Sequence, residues 1–183
     1  MGATIVGGDI RTRLYEALGN MSEAWQLAAD DLLSASQLLR LQAPASDPRT
    51  IVIGQDSVQP DVLAPELLLR GLALEVYFKA IWTKRGNSLV KGLEFKRIPN
   101  AGEHDLVQLA GELRLPITVP QRQLLARLSR YVQYAGRYPI PKKAEHLHLG
   151  STALANDGRA EWKCLQDDVT FDEIMVIVQT ELG

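Results

Sequence analysis

The chain has 183 residues, of which 46% are hydrophobic and 23% are charged, and its formal net charge at pH 7 is −2. This length fills one core, so we predict a single domain over residues 1–183, with a core at about 20–140 and a C-terminal helix at about 170–182. No apolar run approaches the roughly 20 residues that cross a bilayer, and no signal-peptide pattern is present, so we expect a cytoplasmic protein.

Helical patterns dominate, and the predicted fold class is all-α, an antiparallel up-and-down bundle of four to six helices. Ser22 is a suitable cap for the first strong helix, which continues to about Leu41. Prolines interrupt residues 44–60. We interpret that interval as a long loop between helices, with a short strand at Ile51–Ile53 as the alternative.

The next helix, from about Pro65 to Arg85, is apolar around nearly its whole circumference, which is typical of a helix at the centre of a bundle. Glu75 and Lys79 nevertheless lie one turn apart in its middle. Their simplest interpretation is an ion pair worth about 0.3–0.5 kcal/mol if it is exposed. The alternative is a buried polar pair at a dimer seam or a ligand cleft.

A loop rich in Lys, Arg and Gly follows at Asn87–Gly102, and a short amphipathic helix is predicted from near His104 to Pro116. Pro120 opens a further helix that ends around Gly136. Residues 142–168 are polar with little periodicity, and the Thr170–Glu173 pattern predicts a capping box at the start of the last helix.

Charge is segregated along the chain. Lys79 to Lys143 contains thirteen Lys or Arg and four acidic residues, whereas Ala144 to Gly183 contains eight acidic residues and two basic ones. The asymmetry indicates a basic face for an anionic partner, an acidic segment that folds over that face, or solvated surface. Guanidinium groups bind phosphates and tyrosine rings stack on bases. The predicted nucleotide- or RNA-binding residues are Arg122, Arg130, Tyr134, Arg137, Tyr138 and Lys142.

Four segments resemble, in their order and spacing, the HEPN domain family of "higher eukaryotes and prokaryotes nucleotide-binding" helical bundles. They are Trp25–Leu32, Ala73–Ala80, Gly102–Leu109 and Tyr134–Pro139. The resemblance implies an antiparallel bundle that forms a homodimer and associates with nucleotides or RNA. Many HEPN domains are encoded beside a small nucleotidyltransferase in toxin–antitoxin pairs, so the resemblance also implies such an antitoxin as a partner.

Some HEPN domains are metal-independent ribonucleases, which carry an Arg and, a few residues later, a His at the start of a late helix. Arg137 and His146 depart from this pattern, because eight residues that include two prolines separate them. Arg97 and His104 have suitable spacing, but Pro99 and Gly102 lie between them. His104 with Arg137, brought together by tertiary packing, is therefore the catalytic pair that we predict if the chain is a nuclease, with the imidazole as base and the guanidinium on the phosphate.

Three classes of function remain open. The first, which we favour, is a nucleotide- or RNA-binding module without catalysis, acting in a toxin–antitoxin or stress and defence system. The second is a metal-independent endoribonuclease that uses His104 and Arg137. The third is a protein-interaction dimer without catalysis. We predict no cofactor and no metal site, since His146 and His148 have no Cys or further His near them in the sequence.

Overall fold

Six helices and one short hairpin make up the part of the chain that the structure, a computed structural model, describes: residues 7–42, 63–135 and 164–183. The elements are α1 (Gly7–Gly19), α2 (Ser22–Gln42), α3 (Leu63–Lys84), β1 (Val90–Lys91), β2 (Glu94–Phe95), α4 (Leu106–Glu112), α5 (Val119–Arg130) with a π-helical continuation (Tyr131–Ala135), and α6 (Cys164–Leu182). The predicted mostly helical bundle is confirmed. No helix within these ranges is long and apolar enough to span a bilayer.

Contacts between α2 and α3 show that these two helices run in opposite directions. Near the start of α2, the Ser22 hydroxyl donates to the Ala80 carbonyl at 2.9 Å, close to the end of α3. Further along α2, Asp30 accepts a hydrogen bond from the hydroxyl of Tyr77. Burial and this hydrogen bond raise the pKa of Tyr77 above its ordinary value.

Helices α5 and α6 are also antiparallel. Gln121 near the start of α5 donates to Glu173 at 3.2 Å, and Arg127 near the end of α5 pairs with Asp167 in the first turn of α6. Capping by Thr118 and Gln121 fixes the start of α5. Both contacts lie between the facing sides of α5 and α6, so acidic side chains of α6 bind polar and basic side chains of α5.

The apolar face of α3 lies at the centre of the core, in contact with α2, α4, α5, the π-helical segment and α6. Its largest fully buried side chains are Leu67, Leu74, Phe78 and Ile81. The backbone of α3 also approaches the π-helical segment closely at Gly71, where a Cβ atom would lie 2.5 Å from Val132 Cγ2. Glycine is therefore required there by the distance between the two elements.

A buried ion network holds α6 against α2 and α3. Asp168 accepts hydrogen bonds from Arg40 at 2.6 Å and from Arg70 at 2.8 Å. Arg70 also pairs with Glu66 at 2.9 Å and lies 4.9 Å above the ring of Phe171. Burial raises the pKa of Glu66, and the neighbouring guanidinium groups offset that rise only in part. Removal of one member would leave buried charges without their partners.

Two sequence predictions are wrong in detail, and one helix was not predicted. Residues 7–19 form a helix, although no helix was predicted there. The predicted loop at Asn87–Gly102 contains the antiparallel β1–β2 hairpin, with Val90 opposite Phe95. The last helix begins at Cys164, so Thr170 lies inside it and its hydroxyl donates to the Gln166 carbonyl at 2.8 Å instead of capping. The predicted loop or strand at Ile51–Ile53 lies outside the described residues.

Candidate functional site

Glu75 and Lys79 are the polar residues of α3 that sequence analysis singled out, and they contact each other. Lys79 Nζ donates to Glu75 Oε1 at 2.7 Å. The Glu75 side chain is 9% exposed and that of Lys79 is 20% exposed, so the pair lies mostly out of solvent. A buried pair of this kind requires further partners for its remaining donors and acceptors.

His104 supplies the second partner of Glu75, from 29 positions further along the chain. Its Nδ1 lies 2.7 Å from Glu75 Oε2. The residue stands directly before Asp105, the N-cap of α4, whose carboxylate accepts from the backbone N–H groups of Val107 and Gln108. His104 itself has a φ of 62°, the left-handed conformation that non-glycine residues rarely adopt. Backbone strain of this kind is common at functional sites.

Electrostatics define the protonation of this cluster. Burial raises the pKa of Glu75, but the hydrogen bonds and charges of Lys79 and His104 together lower it below its ordinary value of 4.5. An ionised carboxylate can only accept hydrogen bonds, so His104 Nδ1 is the donor. In the neutral imidazole Nε2 therefore carries no proton. Within the described residues, Nε2 makes no hydrogen bond, and the side chain is 34% exposed.

The three side chains line a cavity of about 360 Å³, which is within the range of small-molecule sites. Its polar lining comes from Glu75, Lys79, Arg97, Glu103 and His104. Its apolar lining comes mainly from Leu89, Phe95, Ile98 and Leu109. Arg97 and Glu103 form an ion pair in which both side chains are largely exposed, so this pair lies on the solvent side. The cavity thus combines an apolar surface with cationic donors.

Two aromatic rings hold the ammonium group of Lys79. Its Nζ lies 5.7 Å from the ring centroids of both Trp25 and Phe95. The two rings are themselves 6.0 Å apart at an interplanar angle of 51°. Cation–π attraction to both rings adds to the hydrogen bond with Glu75 in fixing the position of the ammonium. Lys79 is therefore a preorganised charge at the edge of the cavity.

The structure brings together only some of the predicted site residues. Arg122 lies exposed on α5 and Arg130 is half-buried on the same helix, both apart from the residues that line the cavity. The backbone of Tyr134 is in the π-helical segment. Arg137, Tyr138 and Lys142 lie outside the described residues, so the pairing of His104 with Arg137 stays a prediction.

Sequence analysis missed three members of the site. The first is Trp25, near the start of α2; the others are Phe95, in the two-residue strand β2, and Arg97, in the loop after it. No local sequence pattern relates these residues to α3. Across the described ranges, no three His, Cys, Asp or Glu side chains are grouped as metal ligands would be. Comparison with known protein families, curated proteins and solved structures finds no match to this chain.

Proposed function

We propose that the cavity binds a nucleotide, or one base-and-phosphate unit of RNA, as a HEPN-like module would. The observation that carries this proposal is that Lys79, His104 and Arg97 line the same cavity as the aromatic ring of Phe95. Cationic donors beside an aromatic surface match the two chemical parts of a nucleotide, an anionic phosphate and a planar base.

The phosphate-binding part of the proposal rests on the two cations. The ammonium of Lys79 has three N–H bonds, and Glu75 accepts only one hydrogen bond from it. Arg97 presents a planar guanidinium that can bind phosphate with two parallel hydrogen bonds in exchange for its exposed ion pair with Glu103. The surrounding segment from Lys84 to His104 contains five Lys or Arg and two acidic residues, so its electrostatic field attracts anions.

The base-binding part rests on Phe95, which is 45% exposed although it lines the cavity. Stacking of a base on such a ring contributes about 1–3 kcal/mol and tolerates every base. Leu89 and Ile98 are buried beside it and extend the apolar surface. This arrangement favours binding to a single unpaired base over the grooves of a duplex.

Isothermal titration calorimetry with nucleoside monophosphates and short single-stranded RNA tests this proposal. Arg97→Gln and Lys79→Met each remove one charge-assisted contact, so we expect each to weaken binding about 10-fold or more. Arg122→Gln is the matched control, because it removes an exposed arginine from α5, outside the cavity lining. A loss confined to Arg122→Gln would place binding on α5 instead, and no binding by the wild type would refute the proposal.

A second candidate function is metal-independent RNA cleavage, favoured by the contact between Glu75 and His104. When the imidazole is neutral, this hydrogen bond places its proton on Nδ1, so Nε2 can accept the proton of an RNA 2′-hydroxyl. The 2′-oxygen would then attack the phosphorus and the bond from phosphorus to the 5′-oxygen would break, producing a 2′,3′-cyclic phosphate while the 5′-oxygen takes the proton back from Nε2. Arg137 is the proposed cation for the phosphate charge. Cleavage that persists in a chelator and disappears in His104→Ala would support this function, and intact RNA with the wild type would exclude it.

A third candidate is a partner-binding role, as a homodimer or with a nucleotidyltransferase antitoxin. It is favoured by a row of exposed apolar side chains on α1, among them Ile10, Leu14 and Leu18. Contiguous apolar surface of this kind often marks protein–protein contacts. Light scattering of the wild type and of Leu14→Glu tests it. A monomeric mass for both would rule out a dimer formed through α1.

A further inference from the structure

We infer that Asn20 is a positioning residue for the cavity, although it lies in the α1–α2 junction and does not line the cavity. Its side chain anchors the β1–β2 hairpin, which carries the aromatic wall at Phe95. This inference rests on the proposed function, because it assigns to Asn20 an effect on the affinity for the base of a nucleotide.

The amide of Asn20 binds the hairpin backbone through three hydrogen bonds. Its Oδ1 accepts from the N–H of Leu89 at 2.7 Å and from that of Val90 at 3.0 Å. Its Nδ2 donates to the carbonyl of Val90 at 2.8 Å. A side-chain amide has an acceptor and donors like those of a peptide group, so Asn20 satisfies the edge of β1 as a third strand would. A two-stranded hairpin alone is marginally stable, so this support is needed.

Other contacts of the junction bind the same hairpin. The Glu16 carboxylate accepts a hydrogen bond from the N–H of Gly92 in the turn. Gly19 packs so closely on β1 that a Cβ atom there would lie 2.2 Å from Val90 Cγ2. The Gly19 carbonyl also accepts from Trp25 Nε1 at 2.9 Å, which fixes the ring that packs against Phe95. The α1–α2 junction therefore fixes the positions of both aromatic rings, Trp25 and Phe95.

The residues that Asn20 holds belong to the cavity wall. Leu89 lines the cavity and receives a hydrogen bond at its carbonyl from Lys96 N at 2.6 Å, which links β1 to the residue after Phe95. Lys79 is on α3, which makes no hydrogen bond to Asn20 among the described contacts. Loss of the Asn20 amide should therefore displace the base-binding wall, whereas the Lys79 ammonium loses its contact with Phe95 but keeps its hydrogen bond to Glu75.

Two variants of Asn20 separate positioning from general stability. Asn20→Ala loses all three hydrogen bonds. Asn20→Asp keeps an acceptor for the N–H groups of Leu89 and Val90, but it replaces the donor to the Val90 carbonyl by a carboxylate oxygen that repels this carbonyl. Asn87→Ala is the matched control, because the Asn87 side chain donates to the Trp82 carbonyl at 3.2 Å at the end of α3 and makes no hydrogen bond to the hairpin among the described residues.

Calorimetry with adenosine 5′-monophosphate and with ribose 5-phosphate, which lacks a base, measures the effect. We expect Asn20→Ala to weaken binding of the nucleotide about 10-fold, Asn20→Asp to weaken it less, and Asn87→Ala to leave it unchanged. Binding of ribose 5-phosphate should fall less than binding of the nucleotide in Asn20→Ala, because Lys79 keeps its hydrogen bond to Glu75, and it should stay unchanged in Asn87→Ala. Hydrogen exchange at the Leu89 and Val90 amides should accelerate in Asn20→Ala and stay near the wild-type rate in Asn20→Asp.

The outcomes distinguish this inference from the proposed function. Wild-type protein that binds neither compound would overturn both. Wild-type protein that binds the nucleotide, with an equal Kd in Asn20→Ala, would overturn the role of Asn20 alone. An equal loss for the nucleotide and for ribose 5-phosphate would also overturn it, because a general loss of structure affects both compounds alike.

Discussion

The left-handed backbone of His104 leads to a prediction about stability that can be tested without a ligand. With a φ of 62°, any residue that has a Cβ is strained at this position. His104→Ala and His104→Gly both remove the hydrogen bond to Glu75, and they differ only in the Cβ atom. A comparison of the two variants therefore isolates the strain of the backbone from the loss of the imidazole.

The size of the difference follows from two opposing effects. The left-handed conformation costs an L-residue about 1–2 kcal/mol relative to glycine. Glycine in turn makes the unfolded chain more flexible, which costs about 0.4–1 kcal/mol. We therefore expect His104→Gly to be more stable than His104→Ala by roughly 1 kcal/mol, equivalent to about 2–4 °C in Tm for a protein of this size.

Urea unfolding at pH 7, followed by circular dichroism, measures this difference. Glu103 provides the matched control, because it is the preceding residue, it is exposed, and its φ is not positive. At that position the alanine variant should be more stable than the glycine variant, by about 0.4–1 kcal/mol. If His104→Gly were no more stable than His104→Ala, the backbone of His104 would not be left-handed and the argument for strain at the site would fail.

Three further predictions concern the free energy of unfolding. The lowered pKa of Glu75 means that its carboxylate stabilises the fold above pH 4.5 and that this contribution is lost as the pH falls through its folded-state pKa. In urea titrations from pH 7 to pH 3, Glu75→Gln should therefore lose less stability than the wild type. Parallel curves of unfolding free energy against pH would contradict this. Gly71→Ala should destabilise by about 1–3 kcal/mol, since its methyl group would clash with Val132, and an unchanged Tm would show that the two elements can separate freely. Asp168→Asn should cost about 1–3 kcal/mol by urea unfolding, because a neutral amide weakens the charge-assisted hydrogen bonds from Arg40 and Arg70 while Glu66 still pairs with Arg70, and an unchanged free energy of unfolding would contradict this.

The helices with strong end signals were predicted from the sequence. Ser22 marks the start of α2 as predicted, and the predicted bounds of α3 and α5 differ from the observed ones by a few residues. Prolines and caps act locally, so a single sequence contains the information that places them. α1 was missed because its start at Gly7–Gly8 disfavours a helix, although Ile10, Leu14 and Leu18 have the spacing of an apolar helical stripe. The hairpin was missed because strands of two residues are too short to show alternation.

The candidate site was predicted in part. Glu75 and Lys79 were recognisable because charges inside an apolar helix are costly without partners. Their partner was not recognisable, since the hydrogen bond from His104 to Glu75 depends on how α4 packs against α3. Sequence reasoning instead paired His104 with Arg137, on the chemistry of RNA cleavage. A contact between two polar residues that are distant in the chain leaves no periodic pattern in the sequence. The chemistry of RNA cleavage was therefore the only basis for choosing a partner for His104.

The position of Trp25 has a practical consequence. Its indole ring lies against Phe95 and the Lys79 ammonium, the two groups that we expect a bound nucleotide to contact. A nearby cation and a neighbouring ring both influence the emission of an indole, so ligand entry should alter the intrinsic fluorescence of the protein. Trp25 therefore gives an optical signal of occupancy with no label attached, and Trp25→Phe, which keeps an aromatic ring at this position, should remove that signal.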